Sequence, residues 1–341
     1  MSGVRKSPPD LKPSPSVNQK RLSRVEKQRL QDKFFVAVQT QNVPEIYRCL
    51  EKGARPSFVN REVGVSPLHM LAERNDADLG LHVLQHSTPD LNVKTFAGYT
   101  PLHLTCLFNC RSFLLLLLNN GVDINLRDIL GRTPLHIAVL RQYDKLVVTL
   151  LKAGASPNVW DVFQESPLSV AITRVEDLHI AETLLRYGVD MTLESQRILH
   201  IFFETVLHCH TMEQIHFVAL LLDNGVDVNL VDERTGRNCL HFVAMTGFLE
   251  LAIFLVTNGA RADVVDQTNR TPEKVAQSHG NRHVYEYLHE GSRRPNPLVQ
   301  LLSVLRFLRK AKERVAERKA EQQVKGRQLS RSKEGGVGQE R

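Results

Sequence analysis

Apolar stretches recur along this chain at a near-constant period, each introduced by a small polar residue and, in most copies, proline. Ser66-Pro67-Leu68-His69, Thr100-Pro101-Leu102-His103, Thr133-Pro134-Leu135-His136 and Ser166-Pro167-Leu168-Ser169 begin 34, 33 and 33 residues apart. Weaker copies follow at Leu199-His200 and Leu240-His241, and Thr271-Pro272 lies 33 residues after Asn238. Leu-rich segments closing on glycine keep step with them, at Gly53, Gly121, Gly154, Gly188, Gly225 and Gly259. The distance from motif histidine to glycine is 18 for His103, His136 and His241. A Ser or Thr before Pro caps a helix whose first N–H groups have no partner. A glycine after an apolar run suits a left-handed helix end, and Asp and Asn beyond it turn the chain. Each period therefore predicts two short helices, with Leu and Ala packed inward.

This pair of landmarks resembles the ankyrin repeat, a turn plus two antiparallel helices, over roughly 30–290. The resemblance implies an all-α ankyrin-repeat solenoid of about seven helix-turn-helix units with short hairpin fingers. One helix pair cannot bury its own apolar face, so such units stack into a continuous core. The segment from Gln31 to Gly53 reads as a first helix pair without the Thr-Pro start, and Thr271-Pro272-Glu273-Lys274-Val275-Ala276 carries charge where Leu is usual. Both read as capping units.

Two departures from the period stand out. Gly188 and His200 are 12 residues apart where 15 or 16 is usual, which shortens the finger between the fourth and fifth units. His200 and Gly225 are 25 apart instead of 18, and the surplus around 204–213 reads as an inserted loop containing His208-Cys209-His210. Adjacent ligands lack the spacing of structural zinc sites. The five motif histidines, His69, His103, His136, His200 and His241, are similar to those that tie neighbouring turns in ankyrin units. His279 and His283 fall four apart on what reads as the last helix, with no third ligand at a metal-binding spacing. No metal or cofactor is expected. Phosphate loops, dinucleotide fingerprints, zincin helices and nucleophile elbows are all missing from the sequence, so nothing in it argues for catalysis.

Charge changes the picture of the whole. The 341 residues carry a formal +7, which suggests a basic protein. Divided by region, residues 1–33 carry +6, residues 34–290 carry −8 and residues 291–341 carry +9. The chain is an acidic array between two basic arms. Three domains follow: a disordered basic arm over 1–29, the array over 30–290 and a basic arm over 291–341 with an amphipathic helix at 298–324. Pro8, Pro9, Pro13 and Pro15 leave the first arm little to bury. Ser7-Pro8 and Ser14-Pro15 fit proline-directed kinases, and Lys20, Arg21, Arg24, Lys27 and Arg29 form either a nuclear address or a solvated cluster.

In the second arm Leu298, Leu301, Leu302, Leu305 and Leu308 recur at helical spacing before the segment turns basic. That face packs either on the last repeat or in a partner's groove. Leu298 after Pro297 resembles the opening of a SOCS box, which in one ankyrin family recruits a ubiquitin ligase. Leu302, however, stands where that box has Cys, and no Leu-Pro-x-Pro segment follows.

The finger tips supply the candidate binding residues. The middle fingers carry Phe96, Ile129, Leu130 and Phe163 at their tips, with Tyr99 and Trp160, the single tryptophan, beside them. These side chains either pack under their own fingers or present an apolar edge, and aromatic anchors are enriched at binding hot spots. Asn125, Asn158 and Asn229 each have Leu eight residues upstream and resemble asparaginyl-hydroxylase targets of ankyrin proteins.

The expected function is a non-enzymatic adaptor that holds one or more proteins on its array, while the basic arms meet an acidic partner. A nuclear regulator contacting nucleic acid through its arms, or a ubiquitin-ligase receptor, are the alternatives, and the acidic array disfavours nucleic acid. Five unpaired cysteines, the lack of a signal peptide and the lack of a long apolar run lead us to expect an intracellular protein, cytoplasmic or nuclear, with no membrane span.

Overall fold

The computed structural model describes residues 23–190 and 196–291. The C-terminal segment 298–324 with its Leu298, Leu301, Leu302, Leu305 and Leu308 face lies outside them, as do Ser7 and Ser14. The chain forms two compact bodies that divide between Asp123 and Ile124.

In the first body, helices pair as α1 (Arg24–Gln39) with α2 (Val43–Glu51), α3 (Pro67–Glu73) with α4 (Ala77–His86), and α5 (Pro101–Leu107) with α6 (Arg111–Asn119). Ser23 caps α1 in a reciprocal box with Glu26, so the helix begins within the stretch read as a disordered arm to residue 29. Phe34, Phe35, Ala37 and Val38 are its buried face, while Ile46, Cys49 and Leu50 are that of α2. Gly80 is needed where α4 meets α6, because a Cβ there would stand 2.5 Å from the Phe113 ring.

The second body continues the alternation with α7 (Pro134–Leu140), α8 (Asp144–Lys152), α9 (Pro167–Ser169), α10 (Leu178–Arg186), α11 (Gln196–Leu207) and α12 (Ile215–Asp223). It closes with α13 (Cys239–Thr246), α14 (Leu249–Thr257), α15 (Pro272–Ser278) and α16 (Arg282–Gly291). The one β-ladder among the described residues is a two-residue antiparallel pair, Val231–Asp232 with Arg237–Asn238. The other described fingers close as turns.

The repeat motif does its work at the start of each first helix. Ser66, Thr100, Thr133 and Asn238 are buried caps. In each the cap N–H donates to Nδ1 of the histidine three residues on, at 3.1–3.2 Å. Histidine here replaces the Glu of an ordinary capping box. With Nδ1 accepting, the proton sits on Nε2, which donates to the backbone of the next finger. His69 reaches the Tyr99 carbonyl at 2.9 Å, His136 that of Glu165 at 3.3 Å and His241 that of Arg270 at 3.0 Å.

The fourth and fifth units break this scheme. Ser169 stands in the histidine position, and its hydroxyl donates to the Ser166 carbonyl instead of reaching forward. A left-handed residue normally sits six positions after the motif histidine, as at Asn75, Asn109, Gln142 and Gly247. In the fourth unit it is Glu176, seven after Ser169. The extra residue is absorbed as a π-helical turn over Val170–Arg174, with the Val175 N–H bonded to the Val170 carbonyl.

Three sequence expectations need correction. His200 is not a motif histidine: it is exposed on α11, whose inward face is Ile198, Ile201, Phe202, Thr205 and Val206. The surplus at 204–213 is only partly a loop. Measured against α7 and α8, α11 runs three residues further past the motif position, and the connection to α12 is four residues longer. An apolar face continuing to Val206 explains why the helix extends. His279 and His283 do not share a helix, since α15 ends at Ser278 and Gly280 at φ +74° turns the chain before α16.

Gly80→Ala is expected to destabilise the chain by about 1–3 kcal/mol through overpacking against Phe113, although alanine alone favours a helix by about 1 kcal/mol; urea denaturation at neutral pH measures the difference. Burial pushes the His69 and His136 imidazoles down to about 4. Both are neutral when folded and titrate near the ordinary value when unfolded. Stability is therefore complete above about pH 6.5, falls by about 3 kcal/mol per histidine as the pH drops to 4, and levels off with respect to these groups below that. Denaturation at pH 7, 5.5 and 4.5 reads that slope, and His136→Leu flattens it.

Candidate functional site

Three of the described fingers of the second body are each built on a buried aspartate. Asp128 Oδ1 accepts from the N–H groups of Leu130 and Arg132, both at 2.9 Å, and Asp161 Oδ1 accepts from Phe163 and Glu165 at 2.8 and 2.9 Å. Asp266 repeats the arrangement with Thr268 and Arg270. Burial would raise the Asp266 carboxyl, but the bonds from Thr268 and Arg270 outweigh it and hold the group well below the usual carboxylate range. These residues fold the backbone over so that the tip side chains have nowhere inward to go.

The result is a fixed apolar edge. Ile129 is 67% exposed, Val162 54% and Phe163 58%. Leu130 and Trp160 are half-buried at the base of the tips. Neighbouring fingers are bolted together: the Val162 N–H donates to the Leu130 carbonyl at 2.9 Å, and the Arg127 guanidinium donates to the carbonyls of Gly131 and Trp160. Gly131, at φ +75°, has the Arg127 side chain and the Asp161–Val162 backbone where a Cβ would project. The Arg197 guanidinium lies 5.5 Å from the Trp160 ring centre, a cation–π contact that fixes the indole. Of the sequence candidates, Ile129, Leu130, Trp160 and Phe163 thus come together on two adjoining fingers.

Phe96 and Tyr99 belong to the first body. Phe96 is 70% exposed and its ring lies over Gly64 of the preceding finger. Tyr99 is at the finger base, its carbonyl taken by His69 and its ring 5.9 Å from His103. Val162, Asp128 and Asp161 were not among the sequence candidates. The aspartates carry a readable signal, since Asp128, Asp161 and Asp266 each stand five residues before the capping Thr or Ser.

The asparagines serve as clasps between successive repeats. Asn158 donates through Nδ2 to the Gly188 carbonyl at 3.1 Å and accepts at Oδ1 from the Asp190 N–H at 2.9 Å. Asn229 makes the same pair with Gly259 and Arg261 at 3.0 and 2.9 Å. Asn125 accepts from the Ser156 N–H at 2.9 Å. All three are at least partly accessible.

No cluster of three or more metal-ligating side chains occurs among the described residues. His208 and His210 are exposed while Cys209 is buried, its thiol pushed up to about 12 by desolvation, so the three do not converge. Cys106 and Cys239 are likewise held as thiols, at about 12. No helix among the described residues is long and apolar enough to cross a membrane.

Family models described as ankyrin repeats match residues 83–138, and again 114–195 and 205–297. Cyclin-dependent kinase 4 inhibitor B of Mus musculus is 36% identical over 78 residues, 23% of this chain and 60% of that protein. Cyclin-dependent kinase inhibitor 2A of Monodelphis domestica is 33% identical over 89 residues, 26% of this chain and 52% of that one. The Bos taurus inhibitor B is 33% identical over 105 residues, covering 31% and 76%. The chain thus spans about 60% of the length of the mouse relative and about half that of the opossum one.

Asn158→Ala removes both clasp bonds and is expected to cost about 1 kcal/mol, with faster hydrogen exchange at the Asp190 amide. An unchanged exchange rate there would show that the clasp does not hold the two repeats.

Proposed function

Because the chain belongs to the ankyrin-repeat family, we propose that it is a non-enzymatic binder that holds a protein partner on the finger edge of its second body. Ankyrin stacks present extended surfaces to other proteins. The observation that carries this reading is the exposure of Ile129, Val162 and Phe163 on fingers fixed by backbone and guanidinium bonds. A rigid apolar edge loses little entropy when a partner covers it. The free, buried cysteines support an intracellular setting.

A kinase domain is the second, narrower reading of the partner. Its support is the likeness to relatives named as inhibitors of cyclin-dependent kinases. The partner would then be held without being modified, and the chain would act by occupying it.

The test compares the full chain with the double variant Ile129→Ala, Phe163→Ala. Capture of partners from cell extract, followed by affinity measurement with the one recovered, is expected to fall tenfold or more, since truncating a hot-spot residue costs about 2 kcal/mol or more. The thermal midpoint is expected to stay unchanged, because neither side chain enters the core. Equal affinity of the two forms would remove the edge as the binding surface. Binding of a purified cyclin-dependent kinase domain by the full chain decides the narrower reading.

A further inference from the structure

The second body concentrates nearly all of the array's excess charge. Residues 124–290 hold fourteen Lys and Arg against twenty-one Asp and Glu, net −7, whereas residues 23–123 hold eleven against ten. The same body exposes the finger edge of Ile129, Val162 and Phe163, with Leu130 and Trp160 at its base. Beyond Gly291, where α16 ends, the sequence offers a matching segment. It opens with the apolar face of Leu298, Leu301, Leu302, Leu305 and Leu308. Residues 298–325 carry eight Lys and Arg against three Glu, net +5.

From these features we infer that residues 298–325 dock in cis on the finger edge of the second body, covering the site that an outside partner would use. The inference builds on the reading of that edge as the binding surface and supplies its regulation. Five leucines at helical spacing need a surface to cover them, and the exposed Ile129, Val162 and Phe163 need the same. Opposite net charge sets the pairing of this segment with this body, and the attraction operates within about 8 Å at physiological salt. Reach is sufficient. Three helix layers separate the last repeat from the finger at Asp161, about 30 Å at 8–10 Å per layer. The seven residues 291–297 span up to about 24 Å when extended, and a helical 298–325 adds about 42 Å.

Trp160 gives the chain its own reporter, because it is the single tryptophan and lies at the base of the edge. Acrylamide quenching of Trp160 is compared in the full chain and in three full-length variants. Leu301→Asp, Leu305→Asp breaks the apolar face. Lys310→Glu, Lys312→Glu, Arg314→Glu reverses the basic one. Ile129→Ala, Phe163→Ala alters the receiving edge. Low quenching in the parent, with a several-fold rise in each variant and in the parent at 0.5 M salt, is the expected result; circular dichroism confirms that all are folded. Equal quenching throughout overturns the inference, as does protection of 298–308 from proteolysis without any response of Trp160, which would place the segment elsewhere. Partner capture measured alongside separates this idea from the proposed function. If capture needs Phe163 while Trp160 ignores the C-terminal variants, the binding surface stands and cis docking falls. If docking holds, the Leu301, Leu305 variant captures more partner than the parent.

Discussion

A buried histidine that closes its own helix and holds the next repeat is the contact on which the stack depends. In one ring, Nδ1 accepts the cap N–H and Nε2–H donates forward to a carbonyl of the following finger, as His69 does to Tyr99. A buried N–H or carbonyl without a partner costs more than a typical hydrogen bond contributes, so the repeat spacing is held by polar satisfaction as well as by leucine packing. The first role is closed to a protonated imidazole, since Nδ1 would then carry a proton and have no lone pair to accept the cap N–H. Burial enforces the neutral form.

Where the histidine is lost, other geometry changes with it. Ser169 closes its own cap but cannot span to a following finger, and the same unit holds the π-helical turn and the left-handed Glu176. The next unit has the lengthened α11 and the long connection to α12, where Gln214 reaches back 2.8 Å to Glu176. The irregular helix end of the fourth unit is thus secured by the enlarged loop of the fifth. A small recess lined by Ile172, Thr173, Glu176, Thr205, His208, Gln214 and Phe217 lies between them.

The apolar finger edge follows from the same economy. An aspartate that satisfies several backbone N–H groups makes a finger that needs no side chain beneath it, which frees Ile129, Val162 and Phe163 to face solvent. Arg127 and the Val162 N–H then join two fingers into one surface. Such a surface is costly to leave bare and inexpensive to cover, and this applies equally to a partner and to an apolar segment of the same chain.

The sequence by itself determined the repeat, its helix starts and its helix ends, because capping is local chemistry. Thr133, Pro134 and His136 lie within one turn of helix, and their bonds are set by spacing alone. It also determined the charge division, which needs only counting. What it did not decide depended on the phase of a helix or on contacts between distant residues. His200 reads as a motif histidine until α11 starts at Gln196 and turns it outward. The seven surplus residues of the fifth unit look like a loop until an apolar face extending to Val206 draws part of them into helix. The finger-tip candidates were legible by counting back from Thr-Pro, yet tip position does not separate exposed Phe163 from half-buried Leu130. The Arg127, Trp160 and Arg197 contacts around them join residues more than thirty positions apart. Only the folded backbone brings those together, since no local pattern encodes which finger stands beside which.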